Sequence, residues 1–322
     1  MRPFYAVKCN NLEPVIRTLK DAGTGFDCAS SDEFDRVAGS DIIYANPCKA
    51  RDELQKAARA GIQWCTFDTI DELEKIVHTL PDAKPILRIH VDDKGGARIP
   101  LNRKFGFPLN QIDRLRTPFT FYGLAFHVGS DCLSTRAYES AFKTVGDFYT
   151  ALKGNPSFVP HTLDIGGGFS GNTKNDLFFN YQVAPLIRNE VSKLPFERIV
   201  AEPGRFFAEE ACTLRVPVIG RKTLPDGTES LTIDDSVYGI FSGVLFDGFV
   251  PTFKTDREQE HRIPYTIFGR TCDSADKIAE NVYLPAGMRE CDVLTVESIG
   301  AYSYVSASEF NGFPRPDVIK TD

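Results

Sequence analysis

PFYAVKCNNLEPVIRTLKDAGTGFDCAS (residues 3–30) carries the fold in miniature. It opens with a short apolar, β-rich run, PFYAVKC (3–9), and closes with another, GFDCAS (25–30). Between them Leu12, Val15, Ile16 and Leu19 fall at i, i+3, i+4 and i+7, the spacing of one helix face. A strand, a helix and a second strand in so short a span predict a parallel βαβ unit.

Outward from this stretch the pattern repeats. Further strand candidates are IIYAN (42–46), WCTFD (64–68), ILRIHV (86–91), LAFHVG (124–129), TLDIGG (162–167) and IVAEPGR (199–205). Several are nearly continuous in apolar residues, as strands covered on both faces are. Ile70, Leu73, Ile76, Val77 and Leu80 mark a helix between two of them, and 135–152 and 184–193 read as further helices. Ser30 to Glu33 and Thr69 to Glu72 read as capping boxes. Eight strands alternating with helices predict an α/β fold, a (β/α)8 barrel over residues 1–210. After about residue 206 the texture changes. CTLRVPVIG, SLTIDD, VLFDGFV, YTIFG and VLTVES are short and turn-bounded, which predicts a mostly β domain over 211–322. LPDGTES (224–230) reads as an exposed hairpin loop and KGGARIPLNRKFG (94–106) as a long surface or interface loop.

The 322 residues are 42% hydrophobic and 25% charged, an ordinary globular balance. A formal net charge of −7 argues against nucleic acid or an anionic membrane as partner and suits a small cationic substrate. No apolar run approaches the roughly 18–20 residues of a membrane helix. MRPFYAVKCN lacks the apolar core and cleavage site of a secretory leader, so none is expected. The eight cysteines form no C-x-x-C pair, so no metal site is expected. Their scatter suits a reducing compartment, the cytoplasm, and most are expected to be small buried apolar residues.

A barrel of this kind keeps its active site at the C-terminal ends of its strands. Lys8, Asp27, Arg88, His127, Ser130, Gly166, Gly167, Gly168, Glu202 and Arg205 all fall there. Lys8, in an apolar strand, is either the strand-end half of an ion pair or a buried amine poised to attack an aldehyde. The glycines of DIGGGF are either a tight turn or backbone N–H groups left open to a phosphate. In EPGR (202–205) the acid and arginine are either a local salt bridge, or Glu202 meets a protonated ring nitrogen while Arg205 binds phosphate. His127 is either a satisfied core histidine or a flat ring for a flat cofactor. In the second domain, Cys272 in CDSAD is either buried or a proton donor. Asp247 and Asp273 are either exposed turn aspartates or anchors for a distal substrate ammonium.

Taken together, PFYAVKCN (3–10), GTGFDCAS (23–30), AFHVGS (125–130), DIGGGF (164–169), EPGR (202–205), TCDSAD (271–276), GAYS (300–303) and FNGF (310–313) resemble the ornithine/lysine/diaminopimelate decarboxylase family, in order and over nearly the whole chain. The resemblance implies an alanine-racemase-like barrel followed by a β domain, with pyridoxal 5'-phosphate as cofactor. Lys8 would hold it as a Schiff base, His127 would stack on its ring, and Glu202 would contact the ring nitrogen. Ser130, Gly166, Gly167, Gly168, Gly204, Arg205 and Tyr302 would hold the phosphate, and Asp27 and Arg88 would support the site. Cys272 would return a proton after CO2 leaves. Asp247, Asp273, Phe246 and Phe310 would line the substrate side, for a basic L-amino acid, ornithine first. The family implies a homodimer with shared sites, Cys272 and Asp273 entering from the partner and Lys104 pairing with Asp276 across subunits. Two further readings stay open: a decarboxylase with a shifted substrate, and an inactive regulator of the antizyme-inhibitor kind that binds an antizyme-like protein. Phe246 for the usual tyrosine, Arg270 for proline and Ser274 for glycine depart from the family pattern on the substrate side. The family's β domain draws on both chain ends, whereas this sequence starts at the lysine strand and stops soon after NGFPRP.

Overall fold

Eight short strands close on themselves in a computed structural model that describes residues 1–92, 94–172, 176–258 and 261–321. They are β1 (Arg2–Ala6), β2 (Gly25–Cys28), β3 (Ile42–Tyr44), β4 (Trp64–Phe67), β5 (Lys84–Arg88), β6 (Phe121–Ala125), β7 (Phe158–Asp164) and β8 (Arg198–Ala201). Each pairs in parallel with the next, and β8 pairs with β1, so the (β/α)8 expectation holds. Closure leaves the barrel no exposed edge. Helices α1 (Glu13–Asp21), α2 (Ser31–Arg36), α3 (Arg51–Arg59), α4 (Ile70–Thr79), α5 (Thr135–Leu152) and α6 (Ala184–Val191) run between strands. A 3-10 segment, Leu109–Leu115, takes the helical place between β5 and β6.

The helix starts follow their local chemistry. Thr69 Oγ1 accepts from Glu72 N–H at 3.2 Å and opens α4 as a cap should. The Ser30 box does not form as expected: the hydroxyl makes no cap bond, and Glu33 Oε2 instead accepts from Ala29 N–H at 2.6 Å. The stretch 94–106 is not all loop, because Ala97–Ile99 pairs antiparallel with Ser130–Cys132.

The strands stop earlier than their apolar runs suggest. β2 ends at Cys28, β5 at Arg88, β6 at Ala125, β7 at Asp164 and β8 at Ala201. Past two of these ends the chain bends: Gly129 has φ 99° and Gly166 φ 62°, values outside a strand. His127, Ser130, the glycine run and the Glu202–Arg205 turn therefore lie past the strands proper. The cysteines divide: Cys9, Cys28, Cys65 and Cys132 are buried, Cys212 is intermediate, and Cys48, Cys272 and Cys291 are exposed, and among the described residues none forms a disulfide. Burial is the fate of half, not most.

Residues Met1–Phe207 form one compact unit and Ala208–Asp322 a second. The second holds a six-stranded sheet of β9 (Leu214–Thr223), β10 (Glu229–Ile233), β11 (Phe253–Thr255), β12 (Arg262–Phe268), β13 (Lys277–Pro285) and β14 (Val293–Val296), ordered β11-β14-β9-β10-β12-β13. All pairings are antiparallel except β10 with β12. Along β9, Leu214, Val216 and Val218 are buried while Arg215, Pro217 and Ile219 face out, the period of two of a one-sided sheet. With Leu231, Ile233, Tyr265, Ile267, Leu284 and Leu294 they make a core of their own. Leu231→Ala would cost this core about 2–5 kcal/mol. The hairpin loop expected at 224–230 is shorter: 224–228 turns between β9 and β10, while Glu229 and the buried Ser230 already belong to β10.

Candidate active site

The C-terminal mouth of the barrel gathers ionisable side chains from the ends of six strands. Lys8 is not buried in β1: it sits in a 3-10 turn, Val7–Cys9, just past the strand, with 48% of its side chain exposed. The expectation of a buried amine is thus corrected. Its ammonium is ion-paired with Oδ2 of Asp27, which is only 1% exposed at the end of β2. β1 and β2 pair in the register Ala6 with Asp27, so the strand ends put the two side chains together. Ala6 N–H also donates to Pro203 O at 3.2 Å, which ties the lysine turn to the Glu202–Arg205 turn.

Glu202 and Asp164 form the acidic floor. Burial, then the nearby Asp164 and Asp27, raises Glu202 well above the usual carboxylate range. Burial likewise raises Asp164, against the pull of its bond from Gly166 N–H at 2.8 Å. Glu202 Oε1 and Asp164 Oδ2 are buried with no protein donor among the described residues. Two ionised carboxylates so placed repel each other, so the pair keeps a proton or waits for a cationic N–H. Arg88, at the end of β5, stacks on Phe105 at 4.5 Å and feels the charges of Glu202, Asp68, Asp164 and Asp27.

His127 lies just beyond β6. Its Nδ1 accepts from Gly129 N–H at 3.0 Å, which leaves any ring proton on Nε2. Burial, with the cations Arg88 and Lys8 adding to it, drives its pKa well below the ordinary value, so the ring is neutral. The glycine run packs beneath it. A side chain on Gly166 would meet Phe126 O at 2.2 Å, one on Gly167 would meet Glu202 O at 2.6 Å, and one on Gly168 would meet Gly129 O at 2.5 Å. Close approach of neighbouring main-chain oxygens therefore accounts for all three glycines, and Gly166 and Gly168 also take positive φ of 62° and 101°. The phosphate reading is narrowed, since Gly166 N–H is taken by Asp164. The N–H groups of Gly167 and Gly168 donate to nothing among the described residues. Arg205 is buried at the start of the short helix Arg205–Ala208, beside the buried Gly204, and Ser130 lies in the two-stranded ladder opposite Ile99.

These groups fit pyridoxal phosphate. A buried acid pair with one oxygen of each acid lacking a donor suits a protonated ring nitrogen, open N–H groups and an arginine suit a phosphate, and Lys8 supplies an amine at the rim.

In the second unit, Cys272 is exposed, and its N–H and Sγ donate to Asn311 Oδ1 at 3.3 and 3.5 Å. Asp273 Oδ2 accepts from Tyr238 Oη at 2.5 Å and its Oδ1 from Ala275 N–H at 2.9 Å. The Tyr238 bond first, then the Ala275 bond, holds Asp273 below the usual carboxylate range. Phe310 packs on Tyr238, ring centroids 4.4 Å apart, so Cys272, Asp273 and Phe310 come together. Asp247 does not share their hydrogen bonds. It ends the short helix Gly243–Phe246 and is 7% exposed, not an exposed turn aspartate, while Phe246 is 79% exposed. Tyr302 adopts a left-handed φ of 53° in the segment after Gly300. Gly300 itself lies so close to the chain at Ala208 that an added Cβ would meet Ala208 O at 1.8 Å. Asp276 is buried, and its carboxylate accepts from Val237 N–H, Thr271 N–H and Thr271 Oγ1, which shapes the Cys272 loop from within.

Sequence reasoning passes over Asp164, Tyr238 and Asn311. For Asp164 the signal is present, an acid closing an apolar strand just before glycines; Tyr238 lies far in sequence from the residues it touches.

Residues 1–209 match the family described as pyridoxal-dependent decarboxylase, pyridoxal binding domain. Mouse ornithine decarboxylase is 37% identical over 98% of this chain and 74% of its own length. Antizyme inhibitor 2 of Xenopus laevis is 35% identical over 99% of this chain and 75% of its own. The crystal structure of the Paramecium bursaria Chlorella virus arginine decarboxylase bound to agmatine superposes with a TM-score of 0.90 at 36% identity, covering 97% of this chain and 87% of that one. Barrel, acid floor, glycine turn and sequence agree, and the chain belongs to the pyridoxal-dependent decarboxylase family.

Proposed function

We propose that the protein removes the α-carboxylate of a basic L-amino acid as CO2, converting L-ornithine to putrescine. The observation that carries this reading is the buried acid pair Glu202 and Asp164, in which Glu202 Oε1 and Asp164 Oδ2 have no protein donor among the described residues, beside the Lys8–Asp27 ion pair at the barrel mouth. When bound, pyridoxal phosphate supplies an electron-withdrawing ring that takes up the electrons of the broken Cα–CO2 bond. The chain's own residues do the remaining work. Lys8 offers the amine that anchors the cofactor, with Asp27 holding that amine in place. Glu202, backed by Asp164, keeps a proton on the ring nitrogen, and Arg88 balances the acid floor. Neutral His127 offers a flat face without adding positive charge. Ser130, Gly167, Gly168, Gly204, Arg205 and Tyr302 bind phosphate, and the Gly166 turn sets their spacing. Cys272 returns a proton to Cα, and Asp273, Asp247, Phe246 and Phe310 receive the substrate side chain and its distal ammonium. Residues 1–210 bind the cofactor, and 211–322 complete the active site and the dimer interface of a cytoplasmic homodimer, in which Cys272 and Asp273 serve the partner's barrel.

The test is product formation. Protein, pyridoxal phosphate and, separately, ornithine, lysine, arginine or diaminopimelate are mixed, and CO2 and amine are measured. Putrescine from ornithine is expected; no amine from any of the four overturns the proposal. Arginine has its own place in that panel, because the viral arginine decarboxylase is about as similar to this chain as the mouse ornithine enzyme. A preference for arginine or lysine would favour the shifted-substrate reading, toward which Phe246, Arg270 and Ser274 point.

The likeness to antizyme inhibitor 2 supports a second reading, a regulator that binds an antizyme-like protein. An absorbance spectrum separates the two. A visible cofactor band that Lys8→Ala abolishes marks the enzyme, and a colourless protein marks the regulator.

A further inference from the structure

Arg270 stands immediately before the Thr271–Cys272 pair, yet its side chain turns away from solvent, with 12% exposed. Three separate groups receive the guanidinium. Nη1 donates to Asp234 Oδ1 at 3.1 Å, Nη2 donates to Pro314 O at 2.7 Å, and the plane lies over the Phe313 ring at 4.5 Å. Its own N–H donates to Asp235 O at 2.9 Å, which fixes where the side chain begins. One planar fork thus joins the loop after β10 to the segment Phe313–Pro314, which no strand of the sheet contains.

That segment carries Asn311 and Phe310, the two residues that touch the Cys272 cluster. Asn311 has a left-handed φ of 58°, and its Oδ1 accepts from both the N–H and the thiol of Cys272. Phe310 covers Tyr238, whose hydroxyl donates to Asp273. Ser308 ties the near end of the segment down, donating from N–H at 2.8 Å and Oγ at 3.0 Å to Tyr238 O. On the far side of Asn311, Arg270 is what grips the chain, through Phe313 and Pro314.

We propose that Arg270 is a positioning residue for the Cys272 loop: by binding Asp234, Phe313 and Pro314 at once, it seats Asn311 on the thiol and Phe310 on Tyr238. Arg is suited to this in a way lysine is not, since one rigid fork makes two divergent hydrogen bonds while stacking. A proline at this position has neither the fork nor the N–H that meets Asp235.

This inference rests on the proton-donor reading of Cys272, but its test needs no turnover. With Asn311 seated on the sulfur, an alkylating reagent must displace the amide to reach Sγ. Full-length protein is treated with iodoacetamide at fixed pH, and peptide mass spectrometry gives separate rates for Cys272 and for Cys291, which is also exposed and serves as internal reference. Arg270→Ala should speed alkylation of Cys272 several-fold and leave Cys291 unchanged. Asn311→Ala should give the same factor, and the double variant no more than either alone, since both act through one contact. Arg270→Lys should restore only part of the protection. An unchanged Cys272 rate in Arg270→Ala, with a raised one in Asn311→Ala, overturns the proposal, and so do additive effects. If Arg270→Ala does not fold, Phe313→Leu removes the stacking partner alone and is judged by the same rates. Should the native protein make no amine from any substrate, the proton-donor reading falls, while the alkylation pattern still decides whether Arg270 seats Asn311.

Discussion

The two mouths of the barrel handle charge in opposite ways. At the N-terminal mouth the cations lie on aromatic faces. Arg198 sits over Trp64 at 4.7 Å and Phe4 at 5.1 Å, Lys84 over Trp64 at 5.3 Å, and His161 stacks on Trp64 at 5.2 Å. Arg2 there is paired with Asp41. At the C-terminal mouth Asp27, Asp164 and Glu202 are drawn out of water around Lys8, Arg88 and His127, and buried oxygens lack donors. A buried polar group left without a partner costs about 1–3 kcal/mol. A space of about 650 Å³ lined by Arg2, Trp64 and Arg198 opens at the N-terminal mouth, with no buried unpartnered acid around it among the described residues. The C-terminal mouth is the one whose charges are incomplete without a ligand, which is why the proposed chemistry is placed there.

The strongest way to break this contrast is Lys8→Ala. If the C-terminal mouth anchors the cofactor, borohydride treatment of the loaded protein leaves no cofactor mass on the variant, and amine production falls to background. Covalent retention elsewhere in the chain would move the site. Cys272→Ala comes next: decarboxylation should fall by about 10²–10⁴-fold, the usual worth of a positioned proton donor. Its cofactor spectrum should stay unchanged, and undiminished product would remove Cys272 from the reaction.

Glu202→Gln sharpens the comparison by separating function from stability. Because the folded-state pKa of Glu202 is raised, the native protein holds a proton there that the unfolded chain gives up near the ordinary value of 4.5. Stability from this group is therefore present at low pH and drains away as pH rises above that value. The amide cannot ionise, so the cofactor-free variant should melt higher at neutral pH, with a flatter pH dependence, while activity drops. An equal or lower melting temperature would mean the acid floor is not under strain. The smallest effect belongs to the opposite mouth. Arg198→Ala removes two cation–π contacts of about 0.5–1 kcal/mol each and should lower the melting temperature by a few degrees, with turnover intact.

The barrel was legible because strands covered on both faces must be apolar over several residues, and that signal survives without neighbours. The strand ends were not, because β6 and β7 give way to chain that still looks apolar, AFHVG and IGGGF, and only the glycine geometry reveals the bend. The pairing of Lys8 with Asp27 comes from strand register, which a run of residues does not state. Asp164 could have been found, as the acid that opens a motif already singled out. Tyr238 and Asn311 could not: the first lies 35 positions from Asp273, the second 39 from Cys272, and nothing local announces either contact.

The glycine run has a consequence for anyone sorting such chains from genomes. Each of Gly166, Gly167 and Gly168 is held to hydrogen by a main-chain oxygen of an adjoining loop, not by the ligand. A descendant that had abandoned catalysis would still be unable to replace them without rebuilding the rim of its barrel. Their survival in a sequence is thus mute on whether the molecule is an enzyme or a pseudoenzyme. The informative letters are the costly ones, the acids at 164 and 202, which selection has reason to discard once no ring nitrogen arrives to meet them.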